Sequence, residues 1–211
     1  LQDIQLSIDK GKHVAIIGPS GSGKSSLLQL MLGLYQSDKG EILLNHQDIT
    51  NIVDEEKYSQ INALLQTQQL FDGTVRENLF TDKDDVELRN VLANLGLDHI
   101  DLDRYITISG NTLSGGEIQR LGIARLLLRD VPIWIMDEPT TALDIYHTDS
   151  VMDIIHTKAQ TLIVATHDLR LLPYFDKIVV MSEGEIVESG SYQSLITERG
   201  YLYQMVEMNV S

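Results

Sequence analysis

The sequence predicts an α/β fold built on a mostly parallel sheet. Short continuous apolar runs recur at Val14–Ile17, Ile133–Met136 and Thr161–Ala165, each the length of a strand buried on both faces. Between them lie stretches with apolar residues at helical spacing, such as Leu88, Val91, Leu92 and Leu95. The alternation runs through 211 residues with 43 % hydrophobic content, enough for one sizeable core.

In chain order, Leu1–Asp9 alternates weakly and reads as a strand, and His13–Ile17 reads as a central strand. Ser26, Leu27, Leu28, Leu30, Met31 and Leu32 form a leucine-rich helical stretch, and Glu41–Leu44 follows it after an Asp-Lys-Gly turn. Residues 54–65 are mixed and lead into Ala63-Leu64-Leu65, which ends at Gln66. A helix is expected from Asp84 to Leu97, closed by Gly96. A loop through Ser109-Gly110-Asn111 precedes a second helix, from Gly115 to about Leu128. Helical patterning at Val151, Ile154 and Ile155 separates the last two central strands. Ile178–Met181 and Ile186–Glu188, joined by Ser-Glu-Gly-Glu, read as a hairpin, and one closing helix is expected over about Tyr192–Met208. Repeats, low-complexity tracts and flexible linkers are absent from the sequence.

A net charge of −15 argues against nucleic acid as a partner, because a polyanion is held by clustered Lys and Arg. It equally disfavours direct adhesion to anionic lipid. No apolar run approaches the ~20 residues of a membrane-spanning helix. With no cysteine there is neither a disulfide framework nor a thiolate metal site. Leu1 begins abruptly in a strand-like segment and no signal peptide is visible, which reads as a domain cut from a longer chain.

The strongest chemical signal is Gly18-Pro19-Ser20-Gly21-Ser22-Gly23-Lys24-Ser25, followed by Ser26 and set between a strand and a helix. Its glycines let successive N–H groups converge on phosphate oxygens, and the helix N-terminus adds partial positive charge. Lys24 can reach the terminal phosphates and Ser25 can place a hydroxyl on Mg²⁺. An ordinary glycine-rich turn would lack the flanking strand and helix. The implied ligand is a nucleoside triphosphate.

Two further constellations carry chemistry. Ile133-Trp134-Ile135-Met136 ends in Asp137 and Glu138, which places both carboxylates at the carboxyl edge of the sheet, where α/β folds bind ligands. Asp137 is expected to hold Mg²⁺ through water, and Glu138 to act as general base on the attacking water. Taken alone, the pair reads equally as two acids capping a strand into a Pro-Thr turn. Leu113-Ser114-Gly115-Gly116-Glu117 carries a capping box, with Ser114 at the N-cap and Glu117 three residues on. A well-capped helix explains the box, but each glycine costs about 1 kcal/mol relative to alanine inside it. An anion docking on the exposed N–H groups is one return for that cost.

Phosphate loop, Leu-Ser-Gly-Gly-Glu and Met-Asp-Glu-Pro, in this order, resemble the nucleotide-binding domain of an ABC ATPase over nearly the whole chain. The resemblance implies a P-loop NTPase core with a mostly parallel sheet, an N-terminal antiparallel β subdomain and a small helical subdomain at about residues 76–130. It implies ATP and Mg²⁺ as cofactors and a second such domain as partner, with Ser114, Gly115 and Gly116 completing the ATP site of the opposite chain. Gln66, in Leu65-Gln66-Thr67-Gln68-Gln69-Leu70-Phe71, matches the glutamine that senses Mg²⁺ and faces the transmembrane partner. Asp144, in Ala142-Leu143-Asp144, matches the aspartate at the dimer interface. His167, in Ala165-Thr166-His167-Asp168, matches the histidine that contacts the γ-phosphate. The other histidines (His13, His46, His99, His147 and His156) read as structural.

Leu70–Asn78 and Gly184–Gly190 resemble exporter-type transporters, in which the nucleotide domain follows a membrane domain in one polypeptide. The implied role is an ATP-hydrolysing motor at the cytoplasmic face of the membrane, residues 1–211 forming one domain. Departures are also visible. No aromatic residue precedes Tyr35, so the residue that stacks on adenine is expected upstream of Leu1. The interval from Gln66 to Leu113 is short, with Ser109-Gly110-Asn111 where an acidic-glycine loop is usual, and Thr141 replaces a commoner serine. The alternatives are a soluble ABC ATPase outside transport and a regulatory half of a heterodimeric transporter. The compact interval and the intact Glu138, His167 and Ser114–Gly116 speak against them.

Overall fold

The computed structural model describes residues 1–66, 68–107 and 113–210. The strands are β1 (His13–Ile17), β2 (Leu43–Leu44), β3 (Gln47–Asp48), β4 (Ile61–Leu64), β5 (Gly73–Thr74), β6 (Tyr105–Ile106), β7 (Ile133–Asp137), β8 (Thr161–Ala165), β9 (Lys177–Ser182) and β10 (Glu185–Gly190). The helices are α1 (Lys24–Met31), α2 (Asp54–Gln60), α3 (Val75–Asn78), α4 (Asp85–Asn94), α5 (Gly115–Leu127), α6 (Ile145–Lys158), α7 (Tyr192–Glu198) and α8 (Tyr201–Val210). One six-stranded sheet runs β10-β9-β1-β8-β7-β4, parallel throughout except for the β9–β10 hairpin.

Strand periodicity explains why the central runs are apolar at every position. Val14 and Ile16 face one core with Ile135, Ile163, Leu27 and Leu28, while Ala15 and Ile17 face the other with Trp134, Met136, Leu162 and Val164. The first core is covered by α1, the second by α4, α5 and α6, through side chains such as Leu88, Leu121, Ile123 and Ile155. Each large apolar side chain so buried is worth roughly 1.5–3 kcal/mol. The result is helix, sheet, helix. All parallel strands then point their carboxyl ends to one edge, where the loops after β1, β7 and β8 meet.

Two expected elements come out differently. Residues 1–9 form no strand; Asp3 is left-handed (φ 47°), the Gln2 N–H donates to the Gly184 carbonyl at 2.9 Å, and Ile4, Leu6 and Ile8 pack against the α1-side core as half-buried residues. The alternation in that segment therefore reports packing rather than strand pairing, and the N-terminal antiparallel part is the short β2–β3 ladder. The closing helix is two helices. Arg199 takes a left-handed conformation (φ 55°) at the end of α7, and a Cβ on Gly200 would sit 1.6 Å from Glu188 Oε1. The Glu188 carboxylate accepts hydrogen bonds from the Tyr201 and Leu202 N–H groups at 2.5 and 3.0 Å, so α8 starts afresh on a cap supplied by β10. Gly96 ends α4 as expected, in the left-handed region at φ 65°.

Candidate functional site

β1 delivers the chain into Gly18–Ser25, and α1 begins at Lys24. Gly18 lies so close to the β9 backbone that a Cβ there would stand 2.1 Å from the Met181 carbonyl oxygen. Gly23 is left-handed (φ 99°) and caps α1 with no side-chain hydrogen bond, so the first N–H groups of the helix stay free for an anion. Lys24 Nζ donates to the Gly18 and Pro19 carbonyls at 2.9 and 3.1 Å, which folds the ammonium over the loop. Ser22 is 2 % exposed, and its hydroxyl has no protein partner. Free amides, a cation and an orphaned hydroxyl in one turn fit a phosphate chain.

Asp137 ends β7 nearly buried. Burial pushes its pKa above the ordinary carboxylate value, while a hydrogen bond from Ser25 and the charge of Lys24 pull the other way. A hydroxyl and a buried carboxylate side by side are hard oxygen donors, the set that suits Mg²⁺. Gln66 is exposed just past β4, and among the described residues no hydrogen bond joins it to Ser25 or Asp137.

Glu138 follows with φ 51°, a left-handed backbone unusual for a non-glycine residue. Its N–H donates to the Ala165 carbonyl of β8 at 2.9 Å. Its side chain, 12 % exposed, meets His167 Nδ1 at 2.7 Å, and the Thr141 hydroxyl donates to the same carboxylate oxygen at 3.4 Å. The structure thus brings together two residues 29 positions apart (138 and 167) at the edge the sequence predicted.

α5 carries the second glycine motif. The capping box is formed: Ser114 N–H donates to Glu117 Oε2 at 2.7 Å and Glu117 N–H to Ser114 Oγ at 3.3 Å. The Ser114 amide and then His99 hold the Glu117 carboxyl down at about 2. Gly116 has a reason inside its own chain, since a Cβ there would stand 2.9 Å from the Ala142 carbonyl oxygen. Close approach of backbones, as well as a free helix end, accounts for that glycine. Among the described residues no hydrogen bond joins Ser114–Gly116 to Gly18–Ser25. The expected loop at Ser109-Gly110-Asn111 lies outside the described residues. Asp144 caps α6, accepting from the His147 N–H at 2.9 Å, and its carboxylate also meets His147 Nδ1.

Gln119, which follows the Leu-Ser-Gly-Gly-Glu run together with Arg120, carried no role in the sequence reading. Its amide donates to the Glu138 carbonyl at 2.7 Å and accepts from the Ala142 N–H at 2.8 Å. The available signal was helical spacing: Gln119 shares the apolar stripe of Ile123 and Leu126, where an uncharged amide needs partners. Asn78 and Arg125 were passed over too. Asn78, fully buried, bonds both backbone groups of Phe71 at 3.0–3.1 Å, and Arg125 reaches the Gln69 and Asn78 carbonyls at 3.0 and 2.6 Å. They brace an aromatic corner where the ring of half-buried Phe71 lies 4.5 Å from that of exposed Phe80. No described helix is long and apolar enough to cross a membrane.

A family model described as ABC transporter matches residues 1–141. The chain is 38 % identical to the glutathione/L-cysteine transport system ATP-binding/permease protein CydC of Haemophilus influenzae, over 98 % of this chain and 38 % of that protein. It is 34 % identical to the transport/processing ATP-binding protein ComA of Streptococcus pneumoniae, over 98 % of this chain and 30 % of that one. Among solved structures it superposes on a bacterial Atm1-family ABC exporter with ATP bound at a TM-score of 0.88 and 28 % identity, over 97 % of this chain and 38 % of that one. The chain therefore spans less than two-fifths of the length of these relatives. Phosphate loop, α5 with its Leu113–Glu117 signature (the signature helix) and the β7 carboxylates sit in one α/β frame, and the chain belongs to the ABC transporter family, as an ATP-binding, ATP-hydrolysing domain.

Proposed function

We propose that this chain is the motor domain of an exporter-type ABC transporter, working at the cytoplasmic face of the membrane beside a transmembrane domain. Residues 1–211 form one nucleotide-binding domain with its helical part at about 76–130, and it pairs head to tail with a second such domain. The observation that carries the catalytic part is the Glu138–His167 contact of 2.7 Å beside the phosphate loop. ATP lies on Gly18–Ser26, with Lys24 on its terminal phosphates. Ser114, Gly115 and Gly116 of the other domain close over the γ-phosphate, next to Asp144 at the interface. Ser25, Asp137 and Gln66 would hold Mg²⁺, which would supply positive charge against the phosphates. Glu138 takes a proton from water as its oxygen bonds to the γ-phosphorus, and the bond to the ADP oxygen breaks, releasing phosphate. His167 orients the γ-phosphate and anchors the Glu138 carboxylate.

Closure of the pair is passed to the membrane domain through the Leu70–Asn78 segment next to Gln66. The exposed ring of Phe80, braced against half-buried Phe71, supports that surface, since a rigid apolar projection suits docking of another protein's helix. Glu138→Gln is expected to lower turnover by ~10²–10⁴ while leaving ATP binding intact and trapping an ATP-dependent dimer. Steady-state hydrolysis and sizing with and without ATP measure this. Unchanged turnover removes Glu138 as the base.

A further inference from the structure

We infer that Gln119 is a positioning residue for the general base, linking the signature helix of each chain to the catalytic carboxylate of that same chain. The inference rests on the assignment of Glu138 as base. Glu138 occupies a left-handed backbone conformation at φ 51°, which persists only where the surroundings over-determine it. Its N–H donates to Ala165 at 2.9 Å, and its carbonyl accepts from Gln119 Nε2 at 2.7 Å and, over a longer 3.4 Å, from the Thr141 N–H of its own turn. The first tether belongs to the sheet; the second belongs to α5. The other end of the same amide accepts from the Ala142 N–H at 2.8 Å, in the loop that runs on to Asp144.

An amide suits this place because it donates at one end and accepts at the other. A glutamate of the same shape would turn an oxygen toward the Glu138 carbonyl and lose the donor. The Gly116 approach to the Ala142 carbonyl keeps α5 and this loop at the separation the amide spans. Gln119 lies a little over one turn beyond Ser114, on the helix whose N-terminus faces the partner's nucleotide in the proposed pair. A small displacement of that helix thus moves the Glu138 carbonyl directly. Occupancy of one ATP site is thereby reported to the base of the other.

A double-mutant cycle in the intact protein tests this. Gln119→Glu and Gln119→Ala are each expected to lower kcat by about 10–100-fold, as for a misplaced base, with ATP affinity and melting temperature near those of the parent. In single-turnover measurements on a Glu138→Gln background, adding Gln119→Ala is expected to cost nothing more, because the two residues act as one unit. Full kcat in the Gln119 variants overturns the inference, as does a further additive loss in the double variant. A kcat loss matched by equal loss of ATP affinity or of melting temperature also overturns it, marking a damaged helix. If Glu138→Gln itself keeps parental turnover, the base assignment fails instead, and the Gln119 single variants then report on packing alone.

Discussion

In the site proposed above, Asp137 serves Mg²⁺ binding at a cost to the nucleotide-free fold. Its carboxylate is nearly buried, and burial raises its pKa above 3.8. The sign of the linkage follows. The folded protein binds the proton more tightly than the unfolded chain, so stability falls as pH rises from the unfolded pKa through the raised folded one. Above that window the full penalty of an ionised buried carboxylate remains, relieved only in part by Ser25 and Lys24. Asp137→Asn is therefore expected to raise the melting temperature of the nucleotide-free protein at neutral pH and to abolish hydrolysis. Mg²⁺ added with ATP is expected to raise the melting temperature of the parent more than that of the variant. A variant that melts lower without nucleotide, or gains as much from Mg²⁺, would remove the strain argument. Glu138 and Gln119 differ in how far the sequence betrays them. Glu138 ends an apolar run, so its place at the sheet edge is legible from strand length alone. Gln119 acts through tertiary partners 19 and 23 residues away, and local pattern shows only an amide on an apolar stripe.

At the scale of elements, β1, β7 and β8 were legible because each is apolar on both faces, and β9–β10 as a hairpin around Ser-Glu-Gly-Glu, whereas β4 showed only as a short apolar stretch in a mixed segment. The Ser114–Glu117 capping box and the Gly96 stop were legible because they are local. The ends of the chain were not. Leu1–Asp9 alternates as a strand does but has no neighbour to pair with, and alternation cannot report a missing partner. The α7–α8 break is invisible to periodicity because its cause is Glu188, thirteen residues before Tyr201 and on a different element. That cause is testable. Glu188→Ala removes the carboxylate that caps α8, and Gly200→Ala pushes the same carboxylate off the Tyr201 and Leu202 N–H groups. Each is expected to cost about 1 kcal/mol, the range of a lost N-cap. The double variant is expected to cost little more than either alone, since both remove one cap. Chemical denaturation of the four proteins measures it, and a sum of the two single losses would show that Gly200 matters for a reason other than Glu188.

At the scale of the whole molecule, the arrangement of α1 and α5 decides how many chains one reaction needs. Gly23 leaves the α1 N-terminus open toward the phosphate loop, and Ser114 caps a separate helix that shares no hydrogen bond with that loop. In the head-to-tail pair proposed above, each chain then supplies halves of two different sites. Ser114→Arg is expected to keep ATP on its own Gly18–Ser25 loop yet abolish hydrolysis, because the guanidinium projects where the partner's γ-phosphate sits. Lys24→Ala is expected to abolish hydrolysis for the opposite reason, loss of the phosphate-binding cation with an intact α5. Two inactive variants made together then give a decisive outcome. A mixed pair contains one composite site with both Lys24 and Ser114 intact, so co-expressed Ser114→Arg and Lys24→Ala chains are expected to recover turnover that neither has alone. Were each site completed within one chain, every chain in the mixture would carry a defect and the mixture would stay inactive. The recovered activity should also disappear when Glu138→Gln is added to the Ser114→Arg chain, whose base serves the composite site, and persist when it is added to the Lys24→Ala chain. The reverse pattern, loss on the Lys24→Ala chain and persistence on the Ser114→Arg chain, would mean that the base and the phosphate loop of one site come from different chains, contrary to the neighbouring positions of Lys24, Asp137 and Glu138 in this fold.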